Sequence, residues 1–222
     1  MPNSSSEKIW PSADKIWSAR EALAAADPAL AVAHAAVPPF PWRAQMSGMR
    51  GLASMIISQQ VSTASARAIW GRFEAGLGQV TPETVLAADD ALLRSFGLSG
   101  QKVRYVRAIA QAQADGVPDL NSLPEDEDAA IAALTQIKGV GLWTAEVYLL
   151  FAEQRFDAFP AGDLALQEGW RMAAGAAERP NEKALYAIAR PWRPNRGVAA
   201  HLLWAYYSMV KRGELALPLE GG

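Results

Sequence analysis

Apolar residues recur every three or four positions along most of this 222-residue chain, and glycine, proline and capping residues break that rhythm at short intervals. A period of 3.6 buries one stripe only on a helix, so the patterning restricts the fold to packed helices. Between Gly51 and Leu77, Leu52, Met55 and Ile56 and then Ile69, Phe73 and Leu77 fall on single faces of two helices. Ser58, Gln59 and Gln60 interrupt the stripe, and Ser62 is placed to cap the second helix. Thr81-Pro82-Glu83 reads as an N-cap followed by proline at the first helical position. Asp89 opens a short helix that Gly97 ends, and a longer one runs from Ser99 to Ala114 and closes at Gly116. Leu123-Pro124 and the acids after it open a helix carrying Ile131, Leu134 and Ile137; Asn181 to Arg190 and Arg196 to Val210 complete the set. No strand pair and no internal repeat is evident, and Val37-Pro38-Pro39-Phe40-Pro41 reads as a stiff connector. The fold class is all-α.

Composition narrows the chemistry. The chain has no cysteine, which excludes a disulfide framework, a thiolate zinc site, a cysteine-ligated iron–sulfur cluster and a cysteine nucleophile, and points to a reducing compartment. No apolar run approaches the ~20 residues that span a bilayer, and the polar start, MPNSSSEKIW, is not expected to be a signal peptide. A chain of this length buries about 70% of its unfolded surface, enough for one large core or two small ones. The formal charge is −2, yet charge is segregated. Arg94, Lys102, Arg104 and Arg107 form one wholly basic stretch, and Arg190, Arg193, Arg196, Lys211 and Arg212 another, with Asp115, Asp119 and the run from Glu125 to Asp128 between them. Either stretch alone reads as a solvated helix face; together they permit a polyanionic partner.

The most informative segment runs from Leu134 to Leu150, LTQIKGVGLWTAEVYLL. One apolar helix ends at Ile137, the turn is Lys138-Gly139-Val140-Gly141, and a second helix begins near Leu142, a hairpin too tight for side chains at the glycines. Backbone amides at that helix start suit a phosphate, with the Lys138 charge beside them. A helix C-cap with incidental glycines is the other reading of the same residues.

With its surroundings, this segment resembles the helix-hairpin-helix of the DNA glycosylases in the helix-hairpin-helix/Gly-Pro-Asp superfamily. Some twenty residues downstream, Phe159-Pro160-Ala161-Gly162-Asp163-Leu164 is similar to the family's proline-containing loop that ends in the catalytic aspartate. Upstream, Ile56-Ile57-Ser58-Gln59-Gln60-Val61-Ser62 is similar to the segment that inserts a side chain into DNA, and Pro194 to Trp204 resembles the last helix. The resemblance covers roughly Met46 to Val210 and is nearest to the alkylated-base branch, 3-methyladenine DNA glycosylase II. It implies two helical subdomains flanking a cleft, one from the middle of the chain with the hairpin (134–150) and one from the N-terminal helices with the C-terminal one. The expected organisation is an N-terminal helical segment (1–45, helical around Ile9 to Leu30), a glycosylase core (46–210, catalytic loop 159–164) and a tail (211–222). The β-rich domain of some relatives is not expected, since the 45 residues before this core read as helical.

The residue roles follow from that resemblance. Asp163 matches the catalytic aspartate at a helix start, where the positive end of the helix favours a carboxylate; Asp157, six residues earlier, is its rival, and Asp163 is equally readable as an N-cap. Gln60 matches the wedge that fills the hole left by an extruded base, with Gln59 a weaker candidate and a water-facing loop residue the plain alternative. Trp143 and Trp204 match two pocket tryptophans whose faces suit a cationic alkylated base, although most of the eight tryptophans read as core. Lys138, Gly139, Val140, Gly141 and Thr144 match the backbone-gripping turn, and main-chain oxygens of Thr135, Ile137 and Val140 match a monovalent cation site for sodium or potassium; no other cofactor is expected. Lyase members carry a Schiff-base lysine two residues after the second glycine, where this chain has Trp143, so a monofunctional glycosylase is implied. Neither His34 nor His201 matches a catalytic position. Asn195 stands where relatives often have an aromatic residue and Val147 where some have tyrosine, which leaves the substrate range open. The expected protein is a monomeric, cytoplasmic, bacterial enzyme of base excision repair that acts on alkylated purines in double-stranded DNA. Glycosylases for deaminated or mismatched bases, and non-catalytic DNA-binding modules, are the alternatives.

Overall fold

The computed structural model describes residues 11–43 and 45–215, and every regular element among them is helical. The Ile9 end of the expected N-terminal helix and residues 216–222 of the tail lie outside the described residues. In chain order the helices are α1 (Ala13–Ala26), α2 (Pro28–Ala36), α3 (Gly48–Ser58), α4 (Thr63–Leu77), α5 (Pro82–Ala87), α6 (Asp90–Ser95), α7 (Gly100–Asp115), α8 (Glu127–Thr135), α9 (Leu142–Phe151), α10 (Leu164–Ala174), α11 (Glu182–Ala189) and α12 (Arg196–Lys211), with a 3-10 turn at Arg190–Trp192. None of the described helices is long and apolar enough to cross a membrane.

The punctuation of the sequence acts as side-chain caps. Ser62 Oγ accepts from the Ser65 amide, Thr81 Oγ1 from Thr84, Asp89 from Leu92, Ser99 from Lys102 and Asn181 from Ala184. Each cap satisfies an amide that the first helical turn leaves without an intrahelical acceptor. Gly116 closes α7 in the left-handed conformation. Two boundaries differ from the sequence reading. α8 opens at Glu127 and not at Leu123-Pro124, because the Asp126 carboxylate accepts the Ala129 amide at 2.8 Å and fixes the start three residues beyond the proline. It also stops at Thr135, so Ile137 is a buried residue of the turn.

The chain divides into two compact units, residues 44–153 and residues 1–43 with 154–222. The stretch 46–210, grouped as one core by resemblance, is therefore shared between them. In the first unit α3 packs on α4, α7 and α9, and α7 also meets α5 and α6. Its core includes Leu52, Ile56, Phe73, Val103, Val106 and Leu134. The Tyr148 hydroxyl on α9 accepts the Gly48 amide at 2.8 Å and so fixes the start of α3 against α9.

In the second unit α2, α10 and α12 pack on one another and α1 lies against α2 and α12. Arg20 of α1 is buried and donates to the carbonyls of His34, Val37 and Pro38, at 3.2, 2.6 and 3.1 Å. Those three oxygens belong to the end of α2 and the proline-rich connector, so the connector is fixed by a buried guanidinium. Burial lowers the Arg20 pKa from its ordinary value.

Candidate functional site

The hairpin comprises α8, α9 and the turn between them. Gly139 has φ +96°, and a Cβ built there would lie 2.3 Å from the Tyr105 ring of α7, so both the conformation and the neighbouring ring require glycine. Gly141 differs from the sequence reading: a Cβ there meets nothing within 4 Å, and its φ of −88° is open to any residue. Gly141 is the N-cap of α9 and brings no side chain to it, so the first amides of α9 receive no side-chain cap, and Lys138 in the same turn is exposed. Val140 turns its side chain into the core and contributes backbone only. The Ile137 carbonyl accepts the Val140 amide at 3.0 Å and keeps a second lone pair, as a main-chain cation ligand must. Among the described residues no group of three His, Asp or Glu side chains could hold a metal ion.

Next to the hairpin, in the same unit, a recess of about 160 Å³ is lined by Met55 and Ser58 of α3, by Gln59, and by Trp143, Thr144 and Val147 of α9. Trp143, the second residue of α9, is 39% exposed, while Thr144 is 5% exposed with its hydroxyl accepting Gln59 Nε2–H at 3.1 Å. Thr144 thus faces the recess with its side chain and offers only its amide to the helix start. The neighbouring glutamines take different places. Gln60 is exposed at the loop tip with φ +57°, whereas Gln59 is half-buried and turned inward. Lys102 Nζ fixes this loop by donating to the carbonyls of Ile57 and Gln59 at 2.7 and 2.8 Å, and burial lowers its pKa from the ordinary value.

The second set of residues lies in the other unit. Asp163 is the N-cap of α10, and its Oδ1 accepts both the Leu166 amide and Trp204 Nε1–H of α12, each at 2.9 Å. The loop before it is held by Asp163 N–H to the Pro160 carbonyl at 2.9 Å and by Gln167 Nε2–H to the Ala161 carbonyl at 2.8 Å. Buried Phe159 meets Trp192 edge to face at 5.6 Å. Asp157 is committed elsewhere: its oxygens accept the Arg196 amide at 3.1 Å and the Arg196 guanidinium at 2.9 Å, at the start of α12. His201 is buried, stacks on Trp42 at 4.2 Å and has its Nδ1 2.8 Å from the Gly197 carbonyl. Burial pushes its pKa down to about 4, with the Arg43 charge acting in the same direction against the Gly197 hydrogen bond.

Sequence reasoning missed that Lys102, Arg107 and Arg196 are structural. Lys102 caps the end of α3, Arg107 donates to the Leu86 and Ala88 carbonyls and to Asp90, and Arg196 pairs with Asp157. Nothing in the spacing of basic residues separates such roles from a solvated face.

A helical hairpin closed by a glycine turn, together with a carboxylate at a helix start held by an indole, places the chain in a class of helical DNA-repair folds. The chain belongs to the HhH-GPD superfamily of base excision DNA repair proteins, whose family model matches residues 53–194. It is 33% identical over 163 residues to DNA-3-methyladenine glycosylase 1 of Schizosaccharomyces pombe, covering 69% of each chain. Among solved structures it resembles a DNA-3-methyladenine glycosidase of Bacillus halodurans, with a TM-score of 0.79 at 29% identity over 87% of this chain and 91% of that one. It also resembles a 3-methyladenine DNA glycosylase of Schizosaccharomyces pombe in complex with abasic DNA, with a TM-score of 0.74 at 28% identity over 90% of this chain and 98% of that one.

Proposed function

We propose that this protein is a monofunctional DNA glycosylase of base excision repair, which hydrolyses the N-glycosidic bond of alkylated purines in double-stranded DNA and leaves an abasic site. The observation that carries this reading is the Asp163 carboxylate, oriented through one oxygen by the Leu166 amide and the Trp204 indole in a chain of this superfamily. Alkylation at N3 or N7 makes a purine cationic and a good leaving group, so the chemistry needs little general-acid help. What it needs is a fixed negative charge for the oxocarbenium-like state at the sugar and a positioned water. A carboxylate whose orientation is set by two hydrogen bonds meets the first need without reorganising during the reaction.

The other roles follow from placement. The exposed Trp143 face suits a cationic base, a contact of about 0.5–2 kcal/mol. Gln60, at the exposed loop tip, is the side chain placed to occupy the gap an extruded base leaves. The α9 amides, with Lys138, grip a phosphate without reading sequence. The main-chain oxygens of Thr135, Ile137 and Val140 would hold a sodium or potassium ion, which would add positive charge beside that phosphate. Trp143 occupies the place of the lyase lysine, so no amine stands ready to attack the sugar.

The test is to incubate the protein with methylated duplex DNA and with uracil- and hypoxanthine-containing duplexes, and to identify the released bases. The expected products are methylated purines and a strand that stays full length on a denaturing gel until hot alkali cleaves it. Release of uracil alone, a nick without alkali, or a borohydride-trapped protein–DNA adduct would contradict the reading.

A further inference from the structure

In the first basic stretch Lys102 and Arg107 hold carbonyls of the fold, which leaves Arg94 and Arg104. Both are exposed, and they converge: the place a Cβ would take at Gly100 lies 3.4 Å from Arg94 Nη2 and 3.9 Å from Arg104 Nη1. Arg72 of α4 lies along the same loop, where its Nε–H donates to the Phe96 carbonyl at 2.9 Å. Among the described residues none of these three guanidiniums pairs with a carboxylate. The acids at the start of α6 are engaged, Asp89 with the Leu92 amide and Asp90 with Arg107. Like charges brought together repel one another, and an anion between them relieves that repulsion.

Their place on α7 selects the anion. Lys102, two residues before Arg104, holds the loop that carries Gln60, and Tyr105, the residue after it, lies against Gly139 of the hairpin turn. The first turns of α7 are therefore flanked by that loop and the hairpin within one compact unit. Gly100 and Arg104, four residues apart, share the strip of α7 beside Tyr105. We infer that Arg94 and Arg104 form a second grip on the DNA backbone, taking a phosphate beyond those held by the hairpin. This rests on the DNA-binding part of the reading above. Each guanidinium offers a fork of N–H donors that matches phosphate oxygens, and such a contact positions the duplex without reading its sequence or its lesion.

The test is the salt dependence of binding to an unmodified and to a methylated duplex, followed by fluorescence anisotropy. The slope of log affinity against log salt counts the phosphates neutralised, so Arg94→Gln with Arg104→Gln is expected to make it shallower by about one and to weaken both duplexes by the same factor. Lysine at both positions should restore most of the slope. Arg50→Gln with Arg212→Gln removes as much charge from arginines already paired with Glu74 and Glu214, and should leave the slope as in wild type. An unchanged slope in the Arg94/Arg104 variant, an equal change in the Arg50/Arg212 variant, or a loss confined to the methylated duplex overturns the inference and leaves the glycosylase reading intact. Failure of the wild type to bind either duplex would sink the DNA-binding reading itself. If the double variant loses its helical circular dichroism, Arg104→Gln alone decides: a slope equal to wild type counts against the inference.

Discussion

Asp157 and Asp163 stand six residues apart and differ in what holds them. Asp157 anchors Arg196, whose side chain is only 8% exposed, and caps the start of α12; Asp163 accepts from an amide and an indole. Removing Asp157 leaves a buried guanidinium without its carboxylate, so Asp157→Ala is expected to destabilise the fold by about 3 kcal/mol in urea denaturation. Base release per folded molecule should persist, and its loss in a folded variant would return Asp157 to the mechanism. His201 supplies a pH prediction. Its pKa falls from 6.5 in the unfolded chain to about 4 in the fold, so below pH 6.5 the unfolded state binds the extra proton. Stability is therefore fully present above pH 6.5 and declines as the pH falls toward 4, by about 3 kcal/mol from this residue. His201→Phe, which keeps the stacking on Trp42, should flatten that decline; an unchanged acid limb would show that other groups govern it.

α10 carries Asp163 at its start and α12 carries Trp204, and the hydrogen bond between them depends on how closely the two helices approach. Gly169 of α10 sets that approach: a Cβ there would lie 2.6 Å from the Leu203 carbonyl oxygen of α12. Because a backbone atom cannot rotate aside, Gly169→Ala should cost about 1–3 kcal/mol and lower base release by displacing the indole from the carboxylate. Thermal denaturation and single-turnover rates check both effects, and an unchanged melting temperature with unchanged rates would remove Gly169 from this role. Helix identity was legible in the sequence because caps such as Ser62, Thr81, Asp89 and Ser99 are local signals. The start of α8 was not: Pro124 and Asp126 both signal a helix start, and only the Asp126 contact to Ala129 decides between them. Contacts such as Gly139 to Tyr105 and Lys102 to Gln59 bridge 34 and 43 residues, and no local pattern encodes them.

For the whole molecule, a net charge of −2 conceals how the cations are used. Several of the residues that made the basic stretches conspicuous serve the fold, so charge runs alone overstated the surface available to a polyanion. The hairpin and the loop 159–164 were legible because each is a short contiguous motif. The partners that give their residues meaning were not, since Asp163 meets Trp204 across 41 residues and Gln59 meets Thr144 across 85. The proposed chemistry rests first on Asp163, which the Leu166 amide and the Trp204 indole orient within one compact unit. Its central claim is that the Asp163 charge acts on the developing cation at the sugar more than on the bound ground state. The most direct measurement compares wild type and Asp163→Asn on one methylated duplex, with single-turnover release of methylated bases and duplex binding recorded side by side. The account predicts that Asp163→Asn binds within a few-fold of wild type, keeps the Leu166 and Trp204 contacts through its amide oxygen, and loses release by at least a hundredfold. Release at the wild-type rate by a variant that binds normally would contradict it.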